Sequence, residues 1–133
     1  MNARMRDQLI AEEFSAHEPT STFGQLTPKC VFDEVTWPSM VDVLDKRLSF
    51  LAQHRPPGEI VGAIIAHDLY SEYDKHPYEA SGPPASIGIL DLLDEMADMF
   101  VRRDFSQKSK PHMVLHIWVG ATRAQHLGKG VGI

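Results

Sequence analysis

The sequence predicts an α/β or α+β domain, a mixed or antiparallel sheet with flanking helices on at least one face. Three observations predict it. The chain opens with apolar residues at helical spacing, residues 48–66 form an apolar, turn, apolar arrangement, and residues 113–119 form a short β-forming run that leads into a glycine-rich segment.

Met5, Leu9, Ile10 and Phe14 fall on one face of a first helix, which closes at His17-Glu18-Pro19 because proline disfavours a helical residue before it. The stretch from Thr20 to Lys29 is rich in turn formers, and Pro38 suits the first turn of a second helix with Met40, Val41, Leu44 and Leu48 as its apolar stripe. Residues Leu48 to Ala52 and the β-branched run Ile60 to Ala66 flank Arg55-Pro56-Pro57-Gly58, which predicts a hairpin of two antiparallel strands. From Tyr70 to Pro84 the composition turns polar and rich in Gly and Pro, as expected of a surface loop long enough to be an insertion. Ile87, Leu90, Leu92, Leu93, Met96, Met99 and Phe100 predict a third amphipathic helix, with its acidic residues outward and Met96 and Met99 in the core. It ends near Arg102 and Arg103, where cations favour a helix C-terminus. After the polar break Ser106 to Pro111, Met113 to Val119 reads as a buried central strand.

With 133 residues and a formal charge of −5, the chain has the size of one globular domain. No run of about 18 apolar residues occurs, and the start lacks the apolar core of a secretory signal, so a cytoplasmic location without membrane contact is expected. Cys30 is the single cysteine and reads as an ordinary thiol. The seven histidines lack the His-x-x-x-His spacing that sets two imidazoles on one helical face, so no metal site is expected. Lys and Arg are dispersed, giving no basic stripe for nucleic acid. A cationic substrate such as an amine suits the acidic balance better.

The chemistry concentrates in Gln125-His126-Leu127-Gly128-Lys129-Gly130, directly after the last strand. Glycines let the backbone approach a ligand closely and take left-handed angles, so that successive N–H groups can converge on one anion. A glycine-rich turn is the plainer reading of a lone Gly-x-Gly; the preceding strand favours a pyrophosphate loop. A dinucleotide fold needs Gly-x-Gly-x-x-Gly, which Gly128-Lys129-Gly130-Val131-Gly132 does not supply, and a Walker loop needs Gly-Lys-Ser/Thr.

Gln125-x-x-Gly128-x-Gly130 resembles the Gln/Arg-x-x-Gly-x-Gly/Ala motif of the GNAT-superfamily N-acetyltransferases, and the strand before it is similar to their strand 4. The resemblance implies acetyl-CoA as cosubstrate, with Gln125, His126, Leu127, Gly128, Lys129 and Gly130 around its pyrophosphate. It implies further that Ile117, Trp118 and Val119, within a stretch continuing to Ala121, line the pantetheine arm. Phe14-Ser15-Ala16-His17-Glu18-Pro19 looks like the Phe-Phe-x-Asp-Glu-Pro-Leu segment of the invertebrate arylalkylamine (dopamine-type) branch, with Ser15, His17 and Thr20 departing from it; Glu18 would inherit the role of general base. His116 lies twelve residues before Gly128, the offset of the second strand-4 histidine in the vertebrate serotonin branch, with Val114 where the first would fall. An ordinary imidazole titrates near pH ~6.5, so His116 is a second candidate base. Residues 70–104 resemble the insertion that precedes strand 4 in these enzymes, through Ile89-Leu90-Asp91-Leu92-Leu93-Asp94-Glu95, and Tyr70, Tyr73 and Tyr78 offer aromatic surface for an acceptor. The plainer readings are a solvated carboxylate for Glu18, a hydrogen-bonded core histidine for His116 and surface-covering tyrosines.

The match covers only the front half of such a domain and stops three residues after the loop. The expectation is therefore one partial GNAT domain over residues 1–133, with impaired transfer to a small amine. The alternative is a non-catalytic module that self-associates or binds a partner through an exposed strand.

Overall fold

The computed structural model describes residues 3–43, 46–56, 58–82, 88–104 and 110–131. It is an α+β fold of helices and a three-stranded antiparallel sheet. The expectations that involve Leu44, Pro84, Ile87 and Ser106 fall outside the described residues. Two compact units divide the chain: residues 1–67 with 117–133, and residues 68–116.

In the first unit, α1 (Ala3–His17) ends one residue before Glu18, as Pro19 requires. Leu9, Ile10 and Ala11 are its buried residues, while Met5 is exposed and Phe14 half-buried. The expected turn-rich stretch is instead largely helical: α2 (Pro19–Phe23) and α3 (Pro28–Val31) each open on a proline preceded by an oxygen-bearing cap. Glu18 accepts the Ser21 N–H at 2.7 Å and Thr27 accepts the Cys30 N–H at 3.2 Å, satisfying donors that a helix start leaves open. A π-helical turn (Phe32–Thr36) joins α3 to α4 (Trp37–Val43), with the Phe32 and Trp37 rings stacked at 5.8 Å. The predicted second-helix stripe is thus displaced. Val31, Val35 and Val43 are buried, Val41 is exposed, and Leu48 lies past the helix, because the helical path starts at Pro28 rather than Pro38.

The hairpin forms as predicted, β1 (Phe50–Gln53) pairing antiparallel with β2 (Ile60–Asp68). β3 (Leu115–Thr122) pairs on the other side of β2. The expectation of a central, buried strand for residues 113–119 is therefore corrected. β2 is the central strand, buried along nearly its whole length, and β3 lies at an edge with Leu115 and Ile117 exposed. Leu51, Ala63 and Ala121 share the face that packs with Leu9 and Ile10 of α1 and Val43 of α4, forming the core. Trp118 and Val119 are both half-buried against that core, so the two-residue alternation of β3 breaks between them.

In the second unit, part of the predicted loop is helical: α5 (Leu69–Lys75) carries Tyr70 and Tyr73. The buried Asp68 before it accepts the Ser71 hydroxyl and the His112 N–H. α6 (Gly88–Met99) continues into a π-helical turn (Phe100–Asp104). Its orientation reverses the expectation for Met96 and Met99, which are 57% and 41% exposed. Asp98 is turned inward by the Tyr73 hydroxyl at 2.6 Å and by Arg102 at 2.7 Å, so a polar network rather than the apolar stripe fixes that side of the helix.

Candidate functional site

The face of the sheet opposite α1 carries a groove in the first unit with a volume of about 430 Å³. Pairing sets Phe50 beside Ile64 and Ala52 beside Gly62, and Gly120 lies against Ile64 from the third strand. Among the described residues, Thr122 is the single polar one lining it; the rest are glycines and apolar residues, including Ile117, Leu127 and Val131. A Cβ on Gly120 would come 3.3 Å from Ile64 Cγ1, and one on Gly62 would come 3.0 Å from Val131 Cγ1. Gly62 thus leaves room for Val131 of the segment after β3, and Gly120 leaves room for the Ile64 side chain. The volume is within the range of small-molecule sites.

That segment is the glycine loop. β3 ends at Thr122, the Arg123 N–H bonds Val61 O at 2.9 Å, and a short 3₁₀ turn (Ala124–His126) follows. Gly128 and Gly130 then take φ of +72° and +76°, angles that L side chains adopt only under strain. Part of the loop's donor capacity is spent locally: the N–H groups of His126, Leu127 and Lys129 bond the carbonyls of Arg123, Ala124 and His126 at 2.8, 3.2 and 3.4 Å.

The loop's side chains are tied to Glu59, which immediately precedes β2. Gln125 Nε2 donates to Glu59 Oε1 at 3.2 Å, Arg123 Nε lies 3.6 Å from Oε1, and His126 Nε2 lies 3.9 Å from Oε2. The His126 ring also packs on His54 with centroids 5.4 Å apart. Arg123 additionally donates to Ile60 O at 3.1 Å and pairs with Glu12 of α1 at 3.5 Å. Arg123, Glu59 and Glu12 were not selected from the sequence. The available signal was position, since Glu59 and Arg123 stand just outside strand ends that pairing brings side by side.

The sequence-derived site residues fall into separate places. Ile117 and Leu127 line the groove, Trp118 and Val119 pack toward the core, and Gln125, Gly128, Lys129 and Gly130 are exposed. Glu18 belongs to the first unit as the cap of α2, where its carboxylate accepts both the Ser21 N–H and the Thr20 hydroxyl. Partial burial raises its pKa, but the hydrogen bonds from Thr20 and Ser21 together outweigh that effect and leave it below the usual carboxylate range. His116 belongs to the second unit and is half-buried; burial lowers its pKa, and the nearby negative charge of Asp94 opposes the shift without cancelling it. Near pH 7 both are in their proton-accepting forms, Glu18 as a carboxylate and His116 as a neutral imidazole.

No protein-family model, curated protein or solved structure matches the chain. Among the described residues, no helix is long and apolar enough to cross a membrane.

Proposed function

We propose that the chain is an acetyl-CoA-dependent N-acetyltransferase of the GNAT type, acting on a small arylalkylamine in the cytoplasm. The observation that carries this reading is the loop directly after β3 with Gly128 and Gly130 both left-handed, resting on an apolar groove floored by Gly62 and Gly120. Such a loop binds the diphosphate through backbone N–H groups, and the groove beside it takes apolar parts of the cosubstrate. The amine attacks the acetyl carbonyl carbon, the C–S bond breaks, and the coenzyme leaves as its thiol. One proton must leave the amine nitrogen.

His116 is the base we favour, on the offset from Gly128 that its position shares with the strand-4 histidine of the serotonin branch and on its side chain being an imidazole that is neutral near pH 7. Glu18 is assigned instead to capping α2, where its carboxylate already accepts the Ser21 N–H and the Thr20 hydroxyl. The test is calorimetric titration with acetyl-CoA, followed by an acetylation assay on an arylalkylamine and a polyamine. Saturable heat with thermal stabilisation supports the reading; neither effect at millimolar acetyl-CoA overturns it. The exposed Leu115 and Ile117 on the edge strand β3 favour one second reading, a non-catalytic module that self-associates through that strand. A concentration-dependent mass without acetyl-CoA binding would support it.

A further inference from the structure

We infer that Glu59 is an internal stand-in for ligand phosphate: its carboxylate accepts the Gln125 side-chain N–H and lies beside the Arg123 guanidinium and the His126 imidazole, and a diphosphate takes its place among these groups on binding. The inference rests on the proposed use of this loop for a diphosphate and adds the side-chain part of the site. Within four consecutive positions of one loop, Gln125 donates to the Glu59 carboxylate at 3.2 Å, Arg123 Nε lies 3.6 Å from it while donating its N–H to Ile60 O, and His126 Nε2 lies 3.9 Å from it. One guanidinium, one amide and one imidazole around one anion is a donor set that suits a phosphate oxygen cluster. The set lies on the same short stretch as the two left-handed glycines.

The clamp is built to be displaced. Glu59 is about 39% exposed, and ion pairs at that exposure and distance are weak. A diphosphate brings at least two charges and can engage the Arg123 guanidinium bidentately, so it outcompetes one carboxylate for the same groups. While Glu59 stays in place, the negative charges of Glu59 and Glu12 offset Arg123, and an arriving anion meets little net attraction. Glu59 thereby sets the affinity of the loop and holds it in order between ligands.

The test is Glu59→Gln, which removes the charge and keeps an amide that can still bond Gln125. Binding of inorganic pyrophosphate, coenzyme A and pantetheine is measured by calorimetry on the whole chain. Expected is a gain of about five- to ten-fold for pyrophosphate and coenzyme A, equivalent to about 1 kcal/mol, with pantetheine unchanged. Adding Arg123→Gln should remove the gain. Unchanged or weaker binding of both anions by Glu59→Gln overturns the inference. If coenzyme A binds both proteins equally well, the stand-in role fails while the acetyltransferase reading stands. If pyrophosphate shows the gain and coenzyme A binds neither protein, the acetyltransferase reading fails and the stand-in role survives. Should circular dichroism show Glu59→Gln unfolded, Glu59→Asp retracts the carboxylate by one methylene; a smaller gain in the same direction supports the inference, and a folded variant without any gain overturns it.

Discussion

Replacing Asp7 by asparagine should remove a pH dependence of stability that originates in α1. Asp7 is fully buried, neither carboxylate oxygen has a hydrogen-bond partner among the described residues, and its ion-pair partner Arg6 Nε lies 4.0 Å away. Burial raises its pKa from 3.8 to about 6 against the opposing attraction of Arg6. A carboxyl group whose pKa is higher in the folded state binds its proton more tightly there. Its contribution to stability is therefore most favourable at low pH, declines as pH rises from about 4 to about 6, and stays constant above. At ~1.4 kcal/mol per pKa unit the complete change is about 3 kcal/mol, of which about 2 kcal/mol falls between pH 4.5 and 7.5.

Urea unfolding of both proteins across that range measures it, because urea adds no screening charge. Relative to Asp7→Asn, the unsubstituted protein should gain about 2 kcal/mol on going from pH 7.5 to 4.5. The His116 contribution has the opposite sign, since a base with a lowered pKa loses stability as pH falls below about 6.5, but it is common to both proteins and cancels in the difference. Parallel stability curves for the two proteins would refute the reasoning and mean that Asp7 reaches solvent or a partner that keeps it charged.

Further expectations concern the site. His116→Gln should lower kcat for amine acetylation by about 10²-fold or more and abolish the fall in rate on acidification, which its lowered pKa sets below the range of an exposed imidazole, as read from a pH–rate profile; a profile unchanged in height and shape would remove His116 as the base. Glu18→Gln should leave the chemistry nearly intact and cost about 1 kcal/mol in urea unfolding through the lost cap of α2. Gly62→Ala puts a methyl 3.0 Å from Val131 Cγ1, so it should lift the loop from the groove and weaken acetyl-CoA binding with a stability cost of about 1–3 kcal/mol. At Gly128 a methyl meets nothing within 4 Å, so Gly128→Ala should cost about 1–2 kcal/mol through φ alone, seen as weaker acetyl-CoA binding.

Much of the fold was legible where one local rule acts without competition. Pro19 ends α1, the hairpin closes through the Gly58 N–H on His54 O, and the glycine spacing yields the left-handed backbone of the loop. The stretch read as turn-rich instead holds α2 and α3, whose caps Glu18-Pro19 and Thr27-Pro28 start helices too short for an apolar period to announce them. The sequence pattern misassigned α6 because its two faces have competing claims. An amphipathic pattern says that one face is apolar, whereas the Tyr73, Asp98 and Arg102 network decides which way that face turns.

The sequence by itself determined the element types of the hairpin and the first helix, the α+β class, and the backbone freedom of the loop, because each depends on residues close together in the chain. Tertiary structure decided that β3 takes an edge rather than the centre, that Gly62 and Gly120 floor one groove, and that Glu59 meets Arg123, Gln125 and His126. Residues 59 and 123 are neighbours only because β2 and β3 run antiparallel, and no local propensity encodes a pairing between segments so far apart.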